Sequence, residues 1–184
     1  MKLQKNVKHT IVFGILIFFT ALVGQRVAHG YIHPADPIIV LAAMMLPLPH
    51  AMTAVGLASL AADLVKGFYL LAPVTLILKL LMVLAVKALL KTKPAQKHPE
   101  ILAAPALLIP IPGFYLAELI FRLFAGDGAK AFANAAITLK ADALQAGVGV
   151  LLLIFLYDMI QGIRSARAQL RQAKEKEESA DEDT

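Results

Sequence analysis

The sequence predicts an all-α membrane protein: a six-transmembrane-helix bundle with its N- and C-termini on the cytoplasmic side. Three observations carry that expectation. Hydrophobic residues make up 59% of the 184 residues, and mean hydropathy is +0.70, well above ordinary soluble domains. Apolar runs recur along the chain between proline-, glycine- or lysine-rich breaks, at lengths near those needed to cross a bilayer. The basic residues then fall mostly on one side of the alternation these runs impose. With an inside N-terminus, the inner set is Lys2, Lys5, Lys8; Lys87, Lys91, Lys93, Lys97; and Arg164, Arg167, Arg171, Lys174, Lys176. The outer set is only Arg26, Lys66, Arg122 and Lys130. That asymmetry favours an even number of spans, and it accounts for the net charge of +5 without a nucleic-acid partner. Residues 1–163 are expected to form one transmembrane domain and 164–184 a charged cytoplasmic tail.

The first span is an apolar run from Ile11 to Gly24 behind the three N-terminal lysines. A cleaved leader has a similar start, but no Ala-x-Ala site follows, so an uncleaved helix is expected. Val27 to Pro37 is expected to be a polar connection holding His29, His33 and Asp36. A second, short span runs from Ile38 to Leu46. The third is expected to begin after Pro49, since proline inside a helix removes a hydrogen bond. Its small residues Gly56, Ala58, Ser59, Ala61 and Ala62 let neighbouring helices approach closely. It carries Asp63, breaks at Gly67 and turns through Phe68-Tyr69.

A fourth span, Leu70 to Leu90, restarts near Pro73 and holds Lys79 near its middle. Lys91 to Glu100 is the clearest loop. The fifth span, Ile101 to Phe124, contains Pro105, Pro110 and Pro112 and should kink or begin irregularly. Gly126-Asp127-Gly128 is a turn, and the sixth span runs from about Asn134 to Gly162. The tail, basic first and acidic last, is expected to fray beyond Ala173.

The chain has no cysteine, which excludes disulfides, thiol catalysis and cysteine metal sites. It has no P-loop, no dinucleotide fingerprint and no Gly-x-Ser-x-Gly elbow. Tyr157-Asp158 with Gly126-Asp127 fails the Gly-x-Gly-Asp requirement of intramembrane aspartyl proteases, because Phe124 stands where the first glycine belongs. His29 and His33 are four apart, but Pro34 places them in a loop rather than on a metal-binding helix. No enzyme, cofactor or metal is expected.

What remains is a set of charges at helical depth. Such charges are costly in hydrocarbon, so each marks a bundle interior or a polar cavity. Asp63 with Lys66, and Glu118 with Arg122, are spaced to share a helix face. Lys79 has no acid within four residues, so its counter-charge must come from another helix or a ligand. Asp142 and Gln145 share a face at the start of the sixth span. Lys79, Glu118, Asp142 and Gln145 are expected to line one outward-opening pocket, with Asp63 also counted among the substrate-binding residues and Phe68, Tyr69 and Tyr115 available to stack on a ring. The alternative is a structural network in which Lys79 neutralises Glu118 or Asp142. Gln145→Leu is expected to separate the two, weakening ligand binding by about 1–2 kcal/mol only if Gln145 touches ligand.

In order and spacing these motifs resemble the S components of energy-coupling factor (ECF) vitamin importers, in the riboflavin-type branch, over roughly Tyr31 to Asp158. The resemblance lies in Ala62-Asp63-Leu64, then Gly67-Phe68-Tyr69, then Ala72-Pro73-Val74-Thr75 leading to Lys79. It continues in Gly113-Phe114-Tyr115 leading to Glu118, and in Asp142-x-x-Gln145-x-x-x-Gly149. Two positions depart: Asp142 stands where the family has Asn, and Pro47-Leu48-Pro49-His50 replaces a Gly-Pro-x-x-Gly turn. The resemblance implies a prokaryotic plasma-membrane protein that captures a water-soluble vitamin or precursor of the riboflavin, pyridoxine or hydroxymethylpyrimidine class. It further implies delivery by toppling on a transmembrane T protein and two ATPases. It implies docking on the T protein through small residues of the first helix, here Thr20, Ala21 and Gly24. Two other classes fit the size and hydropathy: a membrane scaffold of the rod-shape-determining type, which needs no convergent polar groups, and a self-sufficient ion-coupled carrier, which would more often show internal repeats.

Overall fold

The computed structural model describes residues 4–23, 34–92 and 97–173 in full, and residues 2–3, 25–27, 30–32 and 174–182 as backbone. The chain runs α1 (Lys2–Leu22), a hairpin of β1 (Gln25–Val27) and β2 (Gly30–Ile32), α2 (Ala35–Met45), α3 (Leu48–Val65) and α4 (Ala72–Leu89). It continues through α5 (Pro99–Ala103), a 3-10 turn (Ala104–Leu108), α6 (Pro110–Phe124), α7 (Lys130–Ala136) and α8 (Leu139–Glu182). Among the described residues, five helical segments are long and apolar enough to cross a membrane, counting Pro99–Phe124 as one. The expected second span is a shorter apolar helix of 11 residues. The all-α expectation holds apart from the antiparallel hairpin, in which Arg26 pairs with Tyr31.

Several boundaries differ from expectation for local reasons. α2 begins at Ala35 rather than Ile38, drawing Asp36 and Pro37 out of the presumed polar connection into a buried first turn. α3 begins at Leu48, with Pro47 as its cap and Pro49 in the first turn; proline is tolerated there because its missing N–H would have had no partner. The three prolines of the fifth span divide it into α5, the 3-10 turn and α6, the irregular start that was expected. The entry to the sixth span is a separate short helix, α7, before α8. The helix of α8 does not end at Ala173 but continues to Glu182.

Glycine sets the turn between α3 and α4. Gly67 sits at φ +79, and the Phe68 N–H reaches the Asp63 carbonyl at 2.9 Å while the Gly67 N–H reaches Leu64 at 3.1 Å. This is a Schellman cap, a left-handed conformation that glycine adopts without a Cβ penalty. The same pair of bonds closes α6 at Gly126.

The core joins α1, α2, α3, α4, the 3-10 turn and α8 around Ile17, Ile39, Val55, Met82, Leu107 and Leu153. α1 packs chiefly on α3, and α3 on α4. The small residues act as expected: a methyl at Gly56 would already crowd Leu76 of α4 at 3.3 Å. Two lysines tie helix ends together. The Lys66 ammonium donates to the Ala21 carbonyl at the end of α1, and Lys87 donates to the Leu46 carbonyl at the end of α2, at 2.5 Å. A cation at a helix C-terminus meets both an unpaired carbonyl and the negative end of the helix dipole.

Candidate functional site

The bundle places one polar centre among its apolar helices. Asp36, in the first turn of α2, is 3% exposed and Lys79 of α4 is 1% exposed. Lys79 Nζ lies 2.5 Å from Asp36 Oδ1. Gln145 of α8 donates through Nε2 to Asp36 Oδ2 at 2.9 Å. Each carboxylate oxygen therefore has a donor, and the lysine has its counter-charge, as buried ions require. Lys79 also lies over the Phe114 ring of α6, 5.8 Å from its centroid, within the range of a cation–π contact. Three residues far apart in sequence thus pin α2, α4 and α8 together, and Phe114 adds α6.

The close approach of α6 depends on Gly113. A Cβ there would lie 2.2 Å from Leu78 Cδ2 and 3.0 Å from Leu78 Cγ. Glycine at this position lets Phe114 face Lys79, the neighbour of Leu78.

Two further carboxylates flank the centre. Asp63, near the end of α3, interacts with the Thr75 hydroxyl and with the charges of Lys66 and Lys79. Asp142 of α8 lies in the field of Lys79 and Asp36. In each, Oδ2 is buried with no hydrogen-bond partner among the described residues. All of these groups sit toward the end of the bundle that carries the α3–α4 turn and the α7–α8 junction. The hairpin is at the same end, with β2 against α8.

The sequence-predicted residues divide accordingly. Lys79 and Gln145 converge, and Asp142 and Asp63 lie beside them. Glu118 does not join. It pairs with Arg122 on its own helix, with Arg122 Nη2 2.8 Å from Glu118 Oε1, and the counter-charge of Lys79 is Asp36 rather than Glu118 or Asp142. Tyr69 is 69% exposed on the turn, and Phe68 and Tyr115 are half-buried. The aromatic ring at the centre is Phe114, one position before the expected Tyr115. Of the expected docking residues, Ala21 is buried against Ala35 and Ala62, and the Thr20 hydroxyl bonds back to the Leu16 carbonyl at 2.6 Å. The small-residue surface on α1 and α3 is instead a groove that includes Gly14, Ala54, Ala58 and Ala61. Gly24, His29 and His33 lie outside the described residues.

Asp36 and Phe114 were the residues missed. Pro34-Ala35-Asp36-Pro37 ahead of an apolar run has the acid and prolines of a helix start, and that pattern would have placed Asp36 in a first turn.

A bundle of apolar helical spans enclosing a hydrogen-bonded ion pair defines a multi-pass membrane protein with a polar core. No protein-family model matches the chain, and no curated protein matches it. Among solved structures, the chain is similar to the S component of a bacterial ECF transporter, with a TM-score of 0.64 at 12% sequence identity. The match covers 87% of this chain and 97% of that one. The chain therefore has the fold of an ECF S component.

Proposed function

We propose that this chain is the substrate-capture S component of an ECF-type ABC importer in a prokaryotic plasma membrane. It binds a water-soluble vitamin or vitamin precursor of the riboflavin, pyridoxine or hydroxymethylpyrimidine class. It then delivers that ligand by toppling on a T protein coupled to two ATPases. The observation that carries this reading is the shared fold over 97% of an S-component chain, with the polar centre at one end of the bundle. Both termini are cytoplasmic in this reading, which puts the Asp36–Lys79–Gln145 centre toward the outside.

The geometry also informs the ligand. Asp36 and Lys79 satisfy each other, while Asp63 Oδ2 and Asp142 Oδ2 have no described donor. A ligand presenting N–H or O–H donors, or a positive charge, meets that demand; a carboxylate does not. A membrane scaffold of the rod-shape-determining type needs no such acids at depth, and an ion-coupled carrier needs no coupling module.

The test is uptake of the three candidate vitamins in cells that express this chain with or without T protein and ATPases. Uptake that appears only with the module supports the proposal. Uptake that survives deletion of every coupling ATPase makes the chain a self-sufficient carrier, and no uptake under any condition favours the scaffold.

A further inference from the structure

α8 continues beyond its apolar stretch, which includes Ala146 to Tyr157, as an unbroken helix through Glu182. On this extension Arg164, Arg167 and Arg171 repeat at helical spacing, so they share one face. All three are exposed, and with Ala168 and Gln172 they line a shallow surface cleft. Ile163, Ala166, Leu170 and Ala173 form an apolar stripe beside them. Among the described residues none of the three arginines is paired with an acid, in contrast to Arg122 with Glu118 and Asp127.

We propose that this face binds the phosphates of anionic phospholipids in the adjoining leaflet, fixing the depth of α8 and anchoring the tail to the membrane surface. Position argues for lipid. Counting about 20 residues of hydrocarbon-spanning helix from Ala143, a run interrupted by Gln145, Asp158 and Gln161, puts Arg164 at the edge of the hydrocarbon. Arg167 stands about 4.5 Å further out, within a headgroup layer of roughly 5–7 Å. Arg171 is about 10.5 Å beyond Arg164, but helix side chains tilt toward the N-terminus, which here is the membrane side. All three guanidinium groups therefore lean back to the headgroups. Chemistry argues for phosphate: guanidinium stays charged and presents a planar fork of donors that matches it. The apolar stripe allows Ile163 and Leu170 to rest against acyl chains and headgroup carbons while the basic face stays polar.

The experiment is native mass spectrometry of the full-length chain in detergent, titrated with phosphatidylglycerol or phosphatidylcholine. Wild type is expected to retain phosphatidylglycerol preferentially. R164Q/R167Q/R171Q is expected to lose that preference, with affinity falling about fivefold for each arginine removed. R164K/R167K/R171K keeps the charge and should keep most of the preference, and K130Q, a basic residue far along the chain, should leave it unchanged. Equal retention of both lipids by wild type, or undiminished phosphatidylglycerol binding by the glutamine variant, overturns the proposal. Displacement of the lipid by inorganic phosphate at matched ionic strength also overturns it, because the face would then be a site for a free anion. Cooperative thermal unfolding of each variant shows that the comparison is made on folded protein.

Discussion

Lys79 Nζ and Asp36 Oδ1, 43 residues apart in the chain, meet at 2.5 Å in a setting where both side chains are at least nineteen-twentieths buried. The pair is held at its other end by Gln145. Removing one partner leaves an uncompensated charge, whereas removing both leaves none. Lys79→Ala should therefore destabilise the protein by about 3–5 kcal/mol. Lys79→Met combined with Asp36→Leu should recover a large part of that loss. Unfolding in mixed micelles measures both; additive losses in the double variant would show that the two residues do not act as a pair.

Gly113→Ala tests how closely α6 must approach. The added methyl collides with the Leu78 side chain, which is 8% exposed, so Leu78 has to move and the contact of Phe114 with Lys79 is disturbed. A loss of about 1–3 kcal/mol is expected from overpacking. Leu78→Ala in the same chain should cost less than it does alone, because the two changes share one volume. Thermal unfolding of the two single variants and the double variant reads that coupling.

Much of this architecture was legible in the sequence because its cues are local. Proline and glycine signalled a break in the Leu46 to Pro49 turn, another at Gly67 and an irregular stretch at Pro105, Pro110 and Pro112, and hydropathy located the long spans. Lys79 was identifiable as a buried cation needing a partner, since no acid lay within reach on its own helix. Which acid it meets was not legible, because the choice depends on the tertiary packing of α2 against α4. Asp36 looked like a loop residue beside His33 and Pro34, and only the early start of α2 buries it. Glu118 pairs with Arg122 at four residues' spacing on its own helix rather than with Lys79, a local contact that the i, i+4 spacing already offers. The use of Gln145→Leu as a clean probe of ligand contact fails for the same tertiary reason. Gln145 donates to Asp36, so that change strips a buried carboxylate of a donor whether or not ligand binds.

The turn after α6 has its own polar latch. Asp127 Oδ2 accepts from Asn134 Nδ2 and from Arg122 Nη1, each at 3.2 Å. Asn134 first, then Arg122, hold the Asp127 carboxyl below its ordinary range. A carboxyl depressed on folding stabilises above its unfolded pKa of 3.8 and loses that contribution as pH falls through the lower folded value. Limited proteolysis across the 125–130 turn should therefore stay flat from about pH 8 to 5 and rise only in stronger acid. Asp127→Asn should raise the neutral-pH rate and remove the rise in acid.

Sidedness is testable directly because the chain has no cysteine of its own. Thr92 and Ala129 are both exposed, in different connections. With both termini cytoplasmic, Ala129→Cys should react with an impermeant maleimide in intact cells, and Thr92→Cys only after lysis. The reverse pattern would invert the bundle and turn the polar centre toward the cytoplasm.

The most direct test of the central claim is a titration, without ATP, of the purified chain and its Asp142→Asn variant with riboflavin, pyridoxine and hydroxymethylpyrimidine. Asp142 suits this purpose because its Oδ2 has no described partner, so the substitution leaves the Asp36–Lys79–Gln145 bonds in place. The account predicts that one of the three binds wild type at one per chain. It also predicts that Asp142→Asn weakens this binding by roughly ten- to a hundredfold, the loss of a hydrogen bond to a charged group. A folded wild type that binds none of them, or an affinity that Asp142→Asn leaves unchanged, would contradict it.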